Sequence, residues 1–134
     1  MTADRGSAPL EFVLGVCLLV LPTVMLVSVL PTWSARQVLT AAMAREAARA
    51  YVIAPTGGEA ARAAQRVADQ VARAHGEDPA AFTLRLTGRW ARGATVTAEV
   101  RTTVPLTRVP LVGRIGRFPV VERHSEQRDP YRSA

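Results

Sequence analysis

The sequence predicts an α+β protein: a long N-terminal transmembrane helix, a second amphipathic helix, and a small antiparallel three-stranded sheet. Three observations predict it. Residues Phe12 to Leu30 carry no charge. Apolar side chains then recur at helical spacing to about Ile53, and again from Ala60 to Ala74. From Phe82 onward, apolar and polar residues alternate one for one, which is the strand period. With 134 residues in all, a short leader and a membrane span leave roughly a hundred, enough for one modest domain.

The chain enters its apolar stretch through Arg5-Gly6-Ser7-Ala8-Pro9-Leu10-Glu11-Phe12. At ~1.5 Å rise per residue, Phe12 to Leu30 extends about 28 Å, close to the ~30 Å of bilayer hydrocarbon. Pro22 and Pro31 predict kinks within and near the end of this span, and Trp33 stands where an interfacial aromatic would. Cys17, the single cysteine, lies inside the run, so no intramolecular disulfide is available and no lipobox is formed. Glu11 is the informative residue. A carboxylate costs roughly 2.5 kcal/mol or more at a bilayer centre and less near the interface, so it calls for a partner.

Gly6, Glu11 and the apolar run after Phe12 give this segment its resemblance to the N-terminus of type IV prepilin-like proteins. It looks most like the TadE-like pseudopilins of tight-adherence, or Flp-type, pilus systems. The resemblance covers roughly the first thirty residues. It implies that a prepilin peptidase cuts between Gly6 and Ser7, which makes Glu11 fifth and Phe12 sixth in the mature chain. It also implies a pilin-like fold in which the long helix is a spine and Glu11 and Phe12 serve subunit assembly. On this basis residues 1–6 are a leader, 7–54 the transmembrane helix and its extension, and 55–134 a small extracytoplasmic α+β domain. The implied role is structural and non-catalytic, a minor pilin or pseudopilin in the cell membrane or a pilus. Implied partners are the peptidase, other pilin-like subunits including a major pilin, a platform protein, an assembly ATPase and membrane lipid.

Elementary chemistry fits that processing. A new α-amino group on Ser7 would be cationic, with an unperturbed pKa near ~8. Glu11 lies four residues on, on the same helical face, and the acid of one subunit can also meet the amine of the next. Either pairing lowers the burial cost of both groups. Two alternatives stay open: an unprocessed single-pass, membrane-anchored interaction protein of the envelope, and a secreted domain released near Ser34-Ala35. The charge rule alone mildly favours the opposite orientation, since Arg5 is the only base before the span while Arg36 and Arg45 follow it.

After the span, Val38, Leu39, Ala42, Met43, Ala47, Ala50 and Tyr51 mark an apolar face, and Glu46 with Arg49 is expected to pair on the outside. Pro55-Thr56-Gly57-Gly58 breaks the helix, and Thr56 with Glu59 predicts a capping box. Ala60, Ala64, Val67, Ala68, Val71 and Ala74 form the stripe of the second helix, with an Asp69–Arg73 pair outside and Gly76 at its end. Phe82, Leu84 and Leu86 define a first strand; Val96, Ala98 and Val100 define a second, alternating with Thr95, Thr97, Glu99 and Arg101. Gly88 to Gly93 is the turn between them, and Trp90 within it is expected to pack across the hairpin. Val104 to Arg117 reads as a loop, Phe118 to about Glu126 as the third strand, and the chain from Gln127 as a frayed tail.

The basic residues number seventeen, all arginine, against eleven acids, for a net charge of +6. They are spread along the chain without a dense cluster, so nucleic acid is not an expected partner. Attraction to anionic lipid or cell-surface polymer is the expected consequence. No catalytic residue, cofactor or metal is expected: His75 and His124 are far apart, and neither G-x-S-x-G, a P-loop nor paired cysteines occur. His75 reads as a helix C-terminal residue and His124 as a strand surface residue.

Overall fold

The computed structural model describes residues 7–105, 108–109, 113–114 and 116–130. Its elements are helix α1 (Ser7–Ile53), helix α2 (Gly57–Ala74), a 3-10 turn (Pro79–Ala81), and strands β1 (Phe82–Thr87), β2 (Thr95–Pro105), β3 (Arg108–Val109), β4 (Gly113–Arg114) and β5 (Arg117–Gln127). The class is α+β. The main sheet is antiparallel with order β1-β2-β5, and β3 pairs with β4 in a separate small ladder.

Helix α1 is continuous over 47 residues, with Pro22 and Pro31 both inside it. The expected transmembrane helix is corrected here: among the described residues, no helix is long and apolar enough to cross a membrane. Beyond Ala35 the same helix becomes amphipathic and carries Arg36, Arg45, Glu46 and Arg49. Trp33, expected at a membrane interface, instead lines an apolar notch with Leu26, Leu30 and Phe118.

The core lies where the second half of α1 meets α2 and the sheet. Leu39, Met43, Ala44, Ala47 and Ala48 of α1 close on Ala64, Ala68 and Ala72 of α2, and on Phe82, Ala98 and Val100 of the sheet. The buried alanines of α2, Ala60, Ala64, Ala68 and Ala72, recur at every fourth position, which puts the smallest side chains in one row and lets two backbones approach closely. That row replaces the expected Ala74 by Ala72, and Ala74 is exposed. Val38 is likewise exposed, because α1 turns its Leu39, Met43 and Ala47 side to the core.

The ends of α2 follow two different rules. Thr56 is its N-cap in extended conformation, but the side chain makes no capping hydrogen bond, so the expected capping box does not form. The first-turn N–H groups of Glu59 and Ala60 donate to the Thr56 carbonyl instead. At the other end, Gly76 at φ +73° permits a reversal in which Gly76 N–H donates to Arg73 O and Glu77 N–H to Ala72 O, each at 3.0 Å. Asp69 accepts from Gln65 Nε2 at 2.8 Å and does not pair with Arg73. Glu46 and Arg49 form no ion pair with each other either.

In the sheet, Phe82 faces Thr102 and Thr87 faces Thr97, while Thr95 faces Gln127 and Pro105 faces Arg117. Strand β2 is thus longer than its alternation suggested, with Val104 still buried. The expected loop from Val104 to Arg117 is also corrected, since it contains the β3-β4 ladder. Gly88 adopts φ +124°, and a Cβ there would stand 2.5 Å from the Thr95 carbonyl oxygen, so the turn into β2 requires glycine.

Candidate functional site

Gly6 lies outside the described residues. Ser7 is the first residue of α1. Glu11 and Phe12 follow in its second turn, both exposed, with Phe12 at 73%. Among the described residues, Glu11 enters no ion pair with the α+β domain. Glu11 and Phe12 sit at the start of a helix half whose described side chains are exposed as far as Ala35.

The domain itself assembles a site that linear inspection did not isolate. Successive strand residues point to opposite faces, and α1 and α2 cover only one face of the sheet, the one bearing Val96, Ala98 and Val100. On the other face, Glu99 of the central strand has Arg85 of β1 directly opposite on one side and Arg123 of β5 on the other. Arg101 follows two residues along β2. Arg101 Nε and Arg123 Nε each donate to a different oxygen of the Glu99 carboxylate. The carboxylate is therefore nearly covered while both arginines remain more than half exposed. The hydrogen bond from Arg101, then that from Arg123, holds the Glu99 carboxyl below the usual carboxylate range; desolvation opposes them and is outweighed. In the neighbouring row Thr97 and Ser125 join their hydroxyls at 2.8 Å, opposite Thr87.

The arginines that looked dispersed in sequence are thus gathered by strand register. The available signal was the polar half of the β2 alternation, Thr97-x-Glu99-x-Arg101. Which β5 residue stands opposite Glu99 depends on a pairing across 24 positions that no local pattern encodes.

Two other clusters serve the frame. Arg36 of α1 reaches Glu77 at 2.8 Å and lies 5.7 Å from the Phe82 ring centroid, tying α1 to the end of α2 and the start of β1. An open cleft of about 470 Å³ beside it is lined by Pro31, Thr32, Ala35, Leu39 and His75. His75 Nδ1 lies 2.9 Å from the Val71 carbonyl, to which it donates, so its place is the helix end expected for it. At the far end of the sheet, the Arg128 guanidinium stacks 3.6 Å from the Trp90 ring centroid, and Trp90 packs on Gly57 at the start of α2. Trp90 therefore joins the hairpin turn to α2 and the end of β5. Arg128 Nε and Nη1 and Trp90 Nε1 are buried and make no hydrogen bond among the described residues. His124 stands 3.2 Å from Glu126 on the helix-facing side of β5. Among the described residues, no three His, Cys, Asp or Glu side chains come together as metal ligands.

Comparison with known proteins finds no matching family model, no matching curated protein and no matching solved structure.

Proposed function

We propose that this chain is a pilin-like structural subunit, a minor pilin or pseudopilin that takes part in assembling a tight-adherence pilus or a related envelope machine. The observation that carries the reading is the division of α1. Its second half is packed into the domain, with Ala44, Ala47 and Ala48 fully buried, whereas its first half exposes Phe12, Leu18 and Leu19 at 73%, 80% and 73%. So much exposed apolar surface on one rigid rod calls for a cover. Lateral packing against similar helices of other subunits provides one. Glu11, the only charged residue between Arg5 and Arg36, would meet the amino terminus of a neighbour created by cutting between Gly6 and Ser7. The peptidase, the platform protein and other pilin-like subunits are the partners of this reading, and its location is the cell envelope.

The test is the fate of Glu11→Ala in cells that carry a compatible assembly system. The variant should be cut as wild type but co-isolate with pilin-like subunits about tenfold less, the effect of ~1.4 kcal/mol from one lost charge pair. Co-isolation at the wild-type level would remove the charge-neutralisation role.

A further inference from the structure

We propose that the outer face of the sheet is a docking surface for an acidic polysaccharide, whose carboxylates are taken by arginine forks that Glu99 orients. Arg101 and Arg123 both use Nε on Glu99. Both side chains remain more than half exposed, and guanidinium forks bind carboxylates in pairs of parallel hydrogen bonds. Arg85, across from Glu99 on β1, is exposed and enters no ion pair among the described residues. Two guanidinium groups thus hold one carboxylate, with a third arginine at the register position opposite it, so this part of the face carries three positive charges against one negative.

The company these arginines keep selects the polyanion. Thr83, Thr87, Thr97 and Ser125 supply hydroxyls on the same face, suited to sugar hydroxyls. Its described side chains include no aromatic ring on which a base would stack. Among its described side chains Val121 is the one exposed large hydrophobic, too little for insertion among lipids. Nothing among the described elements covers this face, and it holds whether or not the chain enters a pilus.

The experiment uses the full chain in neutral detergent micelles, with polygalacturonate as probe and its dissociation constant as readout. Arg101→Gln/Arg123→Gln should weaken binding about tenfold or more, and Arg85→Gln, which breaks no ion pair among the described residues, about threefold. Arg62→Gln/Arg66→Gln on the exposed side of α2 removes the same charge elsewhere and should change it less than about twofold. Glu99→Gln separates positioning from charge. It raises the net charge by one, so simple attraction predicts tighter binding, whereas loss of the oriented forks predicts weaker binding, at unchanged circular dichroism. Weakening by Glu99→Gln together with silence of the α2 variant supports the proposal. Tighter binding by Glu99→Gln, equal losses from both double variants, no binding of polygalacturonate, or equal affinity for poly(dT) or anionic vesicles overturns it.

Discussion

Glu99 sits among three arginines from three strands, Arg85, Arg101 and Arg123, and its ionisation is coupled to folding. Because its folded-state pKa is depressed, the unfolded chain takes up the proton at higher pH than the folded one. Its contribution is therefore fully present above the usual carboxylate range and is lost as pH falls through the lowered value. Urea midpoints of wild type and Glu99→Gln should converge as pH is lowered from about 6 to about 2. A gap that stays constant over that range would show that the ionised carboxylate contributes nothing. The polar side of β2 was readable at this scale, since Thr97, Glu99 and Arg101 alternate with Ala98 and Val100. The partnership with Arg123 was not, because strand register is set by pairing distant in sequence. Arg128 illustrates the same limit: assigned to a frayed tail, it is 7% exposed and stacked on Trp90, a contact that only the closed hairpin creates.

At the scale of elements, α1 and α2 meet through alanine. Ala68→Leu inserts a branched side chain between close backbones and should lower stability by about 1–3 kcal/mol. Ala61→Leu, on the exposed side of α2, should stay within about 0.5 kcal/mol in the same urea titration. Similar losses at both positions would contradict the close approach. Helix boundaries were legible because local signals mark them: Pro55 lies just past the end of α1 at Ile53, and Gly76 reverses the chain after α2. The Thr56 capping box was misread, since its sequence signature does not fix the side-chain rotamer. The segment after Val104 was misread for a related reason. Its prolines and glycines signal irregular backbone, whereas β2 continues to Pro105 because β5 is there to pair with it.

The molecule as a whole is a rod with a domain on one end. The α+β domain packs onto the second half of α1 and leaves the described side chains of the first half exposed. The length of α1 was legible from continuous helical periodicity. Its expected role as a membrane span is corrected, since among the described residues no helix is long and apolar enough to cross a membrane. The account's central claim, that this is a processed pilin-like subunit, is tested most directly by the mature N-terminus. The full chain is expressed with and without a matching prepilin peptidase, and its start is read by intact mass and terminal sequencing. The account predicts a start at Ser7 that depends on the peptidase and is abolished by Gly6→Ala. Retention of Met1 beside an active peptidase, or a start near Arg36, would contradict it.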